Sequence, residues 1–167
     1  MGRRGRRSAF EPPVSIQTLA VATVCSVSTW IEFESEKAFR RAARGRRRAE
    51  LMRRLRRACA ECERLAIACG QIPARSAESL RGPREIPLDA ITGTVEPNRA
   101  AQFDREFRPA PLTRARWQRV WKAMHTGATL PPISVVRTGD GYAVRDGHHR
   151  VSVAKWTGAA TISAVVA

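Results

Sequence analysis

The sequence predicts an α+β domain, a small mixed sheet with helices, preceded by a basic α-helical N-terminal segment. Two short apolar runs around the turn at residues 138–141 predict a β-hairpin. A helix-like segment ended by Gly158 follows, and the apolar run 161–166 predicts a last strand. Residues 34–70 have apolar side chains at helical spacing. Strands, a turn and a helix within about 80 residues are typical of an α+β domain.

Composition excludes two broad classes of protein. The 167 residues carry 30 Lys and Arg against 15 Asp and Glu, a formal net charge of +15, and 43% are hydrophobic. The length excludes a large multidomain enzyme, and the hydrophobic fraction is too high for a chain that is disordered throughout. The positive charge attracts polyanions such as nucleic acid, nucleotide phosphates or anionic lipid. The alternative is a solvated basic helix without a partner.

Residues 1–33 combine a basic arm with an uncharged segment. Four arginines fall within the first seven residues, and residues 14–31 contain no charged side chain. Seven of those 18 residues are Ser, Thr or Gln, which favours a strand or a marginal helix over a membrane anchor. We therefore expect no membrane partner, with an anchor at 14–31 as the alternative.

Residues 34–70 are predicted as an Arg-rich helix. Eleven of the 21 residues from 37 to 57 are Lys or Arg, and Glu50 is the one acid among them. Gly45 is a point at which the segment could divide into two helices, and Gly70 ends it. The helix could lie along the phosphate backbone of DNA, pack weakly on the C-terminal domain, or pair with a second copy in a homodimer. Its apolar positions alternate at spacings of four and three: Leu51, Leu55, Ala58, Cys62, Leu65 and Cys69.

The four cysteines do not predict a metal site. Cys59 and Cys62 form a C-x-x-C pair, but a zinc site needs further ligands at suitable spacing, and the histidines lie far along the chain. Cys62 and Cys69 occupy apolar positions of the predicted helix, so cysteine is expected to act there as a small hydrophobe. Unpaired thiols fit a reducing cytoplasm.

Residues 71–84 are predicted as a linker, and residues 85–167 as the folded domain. Residues 85–91 favour a short strand that runs into a turn, and the Gly and Pro residues between 93 and 111 favour a loop. Thr113 fits the N-cap of a helix that ends near Thr126. This helix has one apolar face, which we assign to the core: Trp117, Val120, Trp121 and Met124.

The densest polar cluster is Asp146-Gly147-His148-His149-Arg150, at the junction of a predicted strand and a predicted helix. The first turn of a helix presents N–H groups and the positive end of the helix dipole, which suits phosphate. Gly147 lets the backbone approach a ligand, and Arg150 can fork onto phosphate oxygens. His148 and His149 can donate hydrogen bonds, or one can accept a proton. The alternative is a plain turn followed by a solvated polar helix turn.

Asp146 has three candidate roles at this junction. Its carboxylate can cap the helix, hold a ribose hydroxyl, or bind a Mg²⁺ ion that is itself bound to phosphates. Zinc ligation by the adjacent histidines is not expected, because neighbours on a helix diverge by about 100°.

Three segments carry a family resemblance: Ile86-Pro87-Leu88-Asp89-Ala90-Ile91, Leu130-Pro131-Pro132-Ile133, and the run from Gly141 to Ala154 that contains the D-G-H-H-R cluster. They resemble the N-terminal domain of ParB chromosome-partitioning proteins and the wider ParB/sulfiredoxin superfamily. The resemblance covers residues 85–167, and its D-G-H-H-R-x-x-x-A segment is the most specific part.

The resemblance implies a nucleotide-binding fold in which the residues from Gly147 to Arg150 hold the phosphates of CTP, ATP or ADP, with Mg²⁺. It also implies a cytoplasmic or nucleoid-associated bacterial protein of chromosome partitioning or DNA-associated regulation. His148 stands where sulfiredoxin has its catalytic cysteine, so sulfiredoxin activity is not expected.

Two other functions stay open at this point. One is an enzyme, either an NTPase or a small-molecule kinase similar to free-serine kinases, with Glu96 or Asp104 as an upstream acid and His148 or His149 as further catalytic candidates. The other is a module that binds DNA non-specifically through residues 37–57.

Overall fold

The computed structural model describes residues 16–56, 64–68, 82–139 and 141–167, with the side chains of the first helix described from Val27 onward. The predicted basic arm, most of the predicted linker 71–84, and Cys59, Cys62 and Cys69 lie outside these ranges. The side chain of Cys25 also lies outside them, so the cysteine interpretation stays a prediction.

A six-stranded mixed sheet forms the centre of the molecule. Its strands are β1 Ala66–Ile67, β2 Arg84–Pro87, β3 Ile91–Thr94, β4 Ile133–Thr138, β5 Gly141–Asp146 and β6 Thr161–Val166. They are arranged in the order β1-β3-β5-β4-β6-β2. The pairs β4/β5 and β2/β6 are antiparallel, whereas β1/β3, β3/β5 and β4/β6 are parallel. This sheet, together with the helices, confirms the predicted α+β class.

Four α-helices accompany the sheet within the described ranges: α1 Ile16–Leu55, α2 Pro97–Ala100, α3 Arg114–His125 and α4 His148–Thr157. Short 3₁₀ turns at Leu88–Ala90 and Pro111–Thr113 connect strands and helices. The hairpin β4–β5, helix α4 and strand β6 lie where the sequence predicts them. No described helix is both long enough and apolar enough to cross a membrane.

The core has two parts. One lies around the sheet and includes Phe103, Phe107 and Val144. The other joins α1 to α3, where Phe39 meets Trp117 edge to face with ring centroids 5.6 Å apart. Trp117 and Trp121 are buried and Val120 and Met124 are partly buried, which confirms the predicted apolar face of α3.

The predicted boundaries of the Arg-rich helix are wrong. Helix α1 begins at Ile16, so the uncharged segment belongs to the same helix, and it continues through Gly45 without dividing. A glycine costs a helix about 1 kcal/mol, and the packing of Phe39 and its neighbours against α3 offsets that cost. Helix α1 therefore packs on the C-terminal domain through residues 38–43 and not through the stripe that begins at Leu51.

The end of the predicted helix is also different. Leu51 and Leu55 are exposed, whereas Leu65 is buried in the sheet core directly before strand β1. Strand β1 pairs with β3, where Ala66 lies opposite Gly93. A Cβ atom at Gly93 would lie 2.5 Å from the Ala66 carbonyl oxygen, so only glycine permits this approach. A glycine that predicted a loop thus lies in a strand.

Thr113 does not cap α3. It ends a 3₁₀ turn with helical backbone angles, and its hydroxyl donates a hydrogen bond of 2.7 Å back to the Ala110 carbonyl. By contrast, the short strand and turn predicted for residues 85–91 are present as β2 and the 3₁₀ turn Leu88–Ala90, after which β3 begins at Ile91.

Candidate phosphate-binding cleft

The D-G-H-H-R cluster lies where β5 passes into α4, as predicted. Asp146 ends β5, Gly147 precedes the helix with φ +102°, and His148 begins it. A Cβ atom at Gly147 would lie 2.5 Å from Ile133 Cγ2. The glycine is therefore required by its positive φ and by the packing of the β4 side chain against it.

The start of α4 has no side-chain cap. Val151 N donates to the Gly147 carbonyl, but the helix supplies no acceptor for the N–H groups before it. Asp146 therefore does not act as the cap that the sequence analysis considered. The positive end of the α4 dipole opens on a cleft of about 260 Å³.

His148 is held by a threonine of strand β3. Its Nε2 lies 2.7 Å from Thr94 Oγ1, which also accepts a 2.9 Å hydrogen bond from Glu96 N. The ring also stacks on Phe103 at 6.1 Å. Burial, reinforced by the charge of Arg99, lowers the pKa of His148 to about 4. The imidazole is therefore neutral at pH 7 and fixed in orientation.

His149 also lines the cleft and is 7% exposed. Its ring meets the Phe103 ring edge to face, with centroids 5.2 Å apart. Burial, followed by the charge of Arg116, lowers the pKa of His149 to about 4. No described residue forms a hydrogen bond with this imidazole, so its nitrogens remain available to a ligand.

The guanidinium group of Arg150 forms most of its hydrogen bonds within the protein. One terminal nitrogen donates to the carbonyls of Pro131 and Pro132, at 3.0 Å for the latter, and the other donates to Asp146 Oδ2 at 2.8 Å. Three of the five guanidinium N–H groups are thus used to tie α4 to the segment before β4. Arg150 supports the cleft wall more than it reaches into the cleft.

Three further arginines line the cleft, and none of them is among the site residues predicted from the sequence. Arg99 comes from α2, Arg116 from α3 and Arg145 from β5. Only Arg145 had a local signal, because it directly precedes the cluster and lies within the segment that carries the family resemblance. The other two are brought in by tertiary packing. With Arg150, four arginines line the cleft against two carboxylates, those of Glu96 and Asp146.

The two candidate upstream acids have different positions. Glu96 is exposed, precedes α2 and lines the cleft. Asp104 is buried elsewhere: its Oδ1 accepts backbone hydrogen bonds from Arg108 and Glu106, at 2.8 and 3.1 Å. Burial raises the pKa of the Asp104 carboxyl in spite of these bonds. Asp104 therefore organises its own loop, and Glu96 is the acid that could act on a ligand.

No group of three or more potential metal-binding side chains occurs within the described ranges. Asp146, whose side chain is 70% exposed, could still contact a cation carried by a phosphate ligand through the carboxylate oxygen that does not bind Arg150.

One solved structure similar to this chain is sulfiredoxin from Arabidopsis thaliana, with 20% sequence identity and a TM-score of 0.33 over 51% of this chain and 83% of that chain. Neither a protein-family model nor a curated protein matches the chain. The neighbour belongs to the superfamily that the D-G-H-H-R cluster resembles. A likeness of this strength adds no argument about ligands or activity, which depend on the cleft itself.

Proposed function

We propose that this chain is a ParB-like protein that binds the phosphates of a nucleoside di- or triphosphate in the cleft at the start of α4. The observation that carries the proposal is the convergence of Arg99, Arg116 and Arg145 on an uncapped helix N-terminus. Guanidinium groups and free backbone N–H groups are the donors that phosphate oxygens prefer in proteins.

The two histidines support this ligand as neutral donors. With a pKa of about 4, neither imidazole adds positive charge at pH 7. The imidazole of His149 has no hydrogen-bond partner among the described residues, and it lines the cleft. A phosphate oxygen in the cleft would accept a hydrogen bond from its N–H group.

The size of the cleft limits what it encloses. Its volume of about 260 Å³ is below the range of about 300–1,000 Å³ that is usual for sites that enclose a drug-sized ligand. We therefore place the phosphates inside the cleft and the nucleoside outside it. CTP, ATP and ADP share the same phosphate chemistry, so all three belong in the test.

The experiment is a calorimetric titration of ATP, ADP, CTP and GTP with Mg²⁺ into the full chain and into Arg116→Gln. Arg119→Gln is the matched control, because Arg119 is an exposed arginine of the same helix that does not line the cleft. We expect saturable binding of at least one nucleotide, weakened about tenfold by Arg116→Gln, as one lost charge-assisted hydrogen bond predicts.

Two outcomes would contradict the proposal. One is the absence of saturable binding to every nucleotide, and the other is equal weakening by Arg116→Gln and Arg119→Gln. Arg150 is a poorer target, because its replacement also breaks the contacts with Pro131, Pro132 and Asp146. A loss of binding in that variant would not separate ligand contact from folding.

A small-molecule kinase is a second candidate, favoured by the position of Glu96 beside the arginines. Phosphoryl transfer needs a base and a cation next to the phosphates. Both histidines are buried, and His148 is bonded to Thr94, whereas Glu96 is an exposed carboxylate that lines the cleft. We therefore assign the role of base to Glu96.

Nucleotide turnover with and without a panel of hydroxyl acceptors distinguishes the kinase from a passive binder. The kinase predicts acceptor-dependent turnover that Glu96→Gln abolishes while nucleotide binding persists. Turnover that does not depend on an acceptor would instead support an NTPase. The resemblance also predicts chromosome partitioning or DNA-associated regulation as the process that uses the nucleotide.

A further inference from the structure

The exposed face of α1 carries a row of arginines that points away from the rest of the domain. We define this arginine row as Arg41, Arg44 and Arg48, all of them exposed. The opposite face of the same helix is buried against α3 through Phe39, Ala42 and Ala43. The row is thus presented by a helix that the core holds in place.

The acids of α1 do not neutralise this row. Glu34 pairs with Lys37, and Glu36 is shared by Arg40 and Arg114. Glu32 pairs with Lys122, and Glu50 pairs with Arg54. The three arginines of the row have no ion-pair partner among the described residues. Their charge is therefore available to an external polyanion.

We propose that the arginine row binds the phosphate backbone of duplex nucleic acid. Arg41, Arg44 and Arg48 lie at positions i, i+3 and i+7, on one face of the helix and within about 10 Å along its axis. Duplex DNA carries one charge per ~1.7 Å, so that length meets about six phosphate charges. Guanidinium groups bind phosphate oxygens in pairs, which suits a row made of arginine and not lysine.

The distribution of apolar side chains favours a duplex over a lipid surface. Trp30 and Phe33 are exposed before the row, and Leu51 and Leu55 are exposed after it. A helix that lies in a membrane interface needs a continuous apolar face, but here the arginines separate the apolar groups. No exposed aromatic side chain lies within the row, so base stacking on single strands is also disfavoured.

The test measures binding of the full chain to a labelled duplex of about 20 base pairs, two helical turns, across about 50–200 mM KCl. The variant is Arg41→Gln/Arg44→Gln/Arg48→Gln, which retains helix propensity. The matched control removes three exposed arginines elsewhere: Arg105→Gln/Arg119→Gln/Arg137→Gln. Thermal unfolding of both variants verifies that each is folded.

We expect the wild type to lose affinity steeply with salt. The row variant should lower the slope by about 2.7, because each lost phosphate contact is worth ~0.9, and should weaken binding roughly hundredfold at about 100 mM salt. The control variant should change the slope by less than ~0.9, the value of one phosphate contact. Double-stranded DNA and double-stranded RNA are tested in parallel to determine which type of duplex the row binds more tightly.

Three results would overturn the proposal. They are a flat salt response of the wild type, equal weakening by the two triple variants, and tighter binding to vesicles of anionic lipid than to either duplex. Arg99→Gln/Arg116→Gln should leave duplex binding unchanged, because those arginines lie in the cleft and not in the row. A loss in that variant would place the duplex at the cleft instead.

Discussion

The cleft beside α4 and the arginine row of α1 present the same guanidinium groups in two different ways. The cleft collects Arg99, Arg116 and Arg145 from three elements that are separated along the chain. The row takes its arginines from consecutive turns of one helix. Charges that converge in a cavity suit a compact anion, whereas charges in line suit an extended one. The position of a charge in the fold, and not the composition, thus separates the two proposed ligands.

The largest expected effect concerns the start of α4, which lies at the cleft. Gly147→Ala should destabilise the protein by about 4 kcal/mol, because a positive φ costs a residue with a side chain about 1–3 kcal/mol and the contact with Ile133 Cγ2 adds overpacking of about 1–3 kcal/mol. Urea denaturation measures the free energy of unfolding.

Gly158→Ala is the matched control for this substitution. Gly158 also has a positive φ, of +75°, but no atom lies within 4 Å of the position of its Cβ. Gly158→Ala should lower the free energy of unfolding by about 1 kcal/mol. Equal losses at the two glycines would show that the contact with Ile133 does not constrain the start of α4.

The same contrast explains what the sequence predicts well. The hairpin, α4 and β6 depend on local signals, namely turn residues, a glycine at each end of the helix and a short apolar run. Strands β1 and β3 are paired in parallel between distant segments, and Gly93 is needed there for close approach to Ala66. Parallel pairing leaves no local turn signal, so the sequence indicated a helix and a loop instead.

The residues of the candidate site also form two groups: those that local sequence signals predict, and those that tertiary packing brings together. The D-G-H-H-R cluster is contiguous, so its position at a helix start follows from the sequence. Arg99 and Arg116 are distant along the chain, and nothing in their neighbours marks them. Sequence patterning also overstates Arg150, because an arginine at a helix start can bind a ligand or the protein, and here carbonyl oxygens and Asp146 occupy it.

The second prediction addresses the attachment of α1, on which the arginine row depends. Phe39→Ala should cost about 3 kcal/mol, because it empties the space beside Trp117 in the interface with α3. Phe33→Ala is the control on the same helix, since Phe33 is 64% exposed, and it should change the free energy of unfolding by less than about 0.5 kcal/mol.

Urea denaturation of both phenylalanine variants is the measurement. A small effect of Phe39→Ala would mean that α1 is not held by this interface. The row would then not be presented by a fixed helix, and the comparison with the cleft would lose its structural basis.

The third prediction uses acid to separate the two regions, because both histidines with a lowered pKa, His148 and His149, line the cleft. Their pKa in the folded protein is about 4, below the ordinary value of 6.5. As pH falls, the unfolded chain therefore takes up protons before the folded protein does. The contribution of the two neutral histidines to the free energy of unfolding is fully present above pH 6.5 and is lost between pH 6.5 and 4. Each histidine should lower the free energy of unfolding by about 2 kcal/mol between pH 7.5 and pH 5.

Urea denaturation across this pH range tests the assignment to the histidines. His149→Gln should remove about half of the pH-dependent loss, and His125→Gln, at an exposed position of α3, serves as the control for replacing a histidine. A loss of the same size in wild type and His149→Gln would assign the acid sensitivity to other groups.

The smallest expected effect concerns Glu36 of α1, which is bonded to Arg114 and Gln118 of α3. Hydrogen bonds, first from Arg114 and then from Arg40 and Gln118, outweigh partial burial and lower its pKa. Glu36→Gln should nevertheless cost only about 0.5–1 kcal/mol, because its partners are exposed and the pair is screened by solvent and salt. Glu34→Gln, which loses only the pair with Lys37, is the control. If Glu36→Gln cost as much as Phe39→Ala, polar contacts and not the aromatic interface would hold α1, and the arginine row would then be expected to detach from the domain as salt rises.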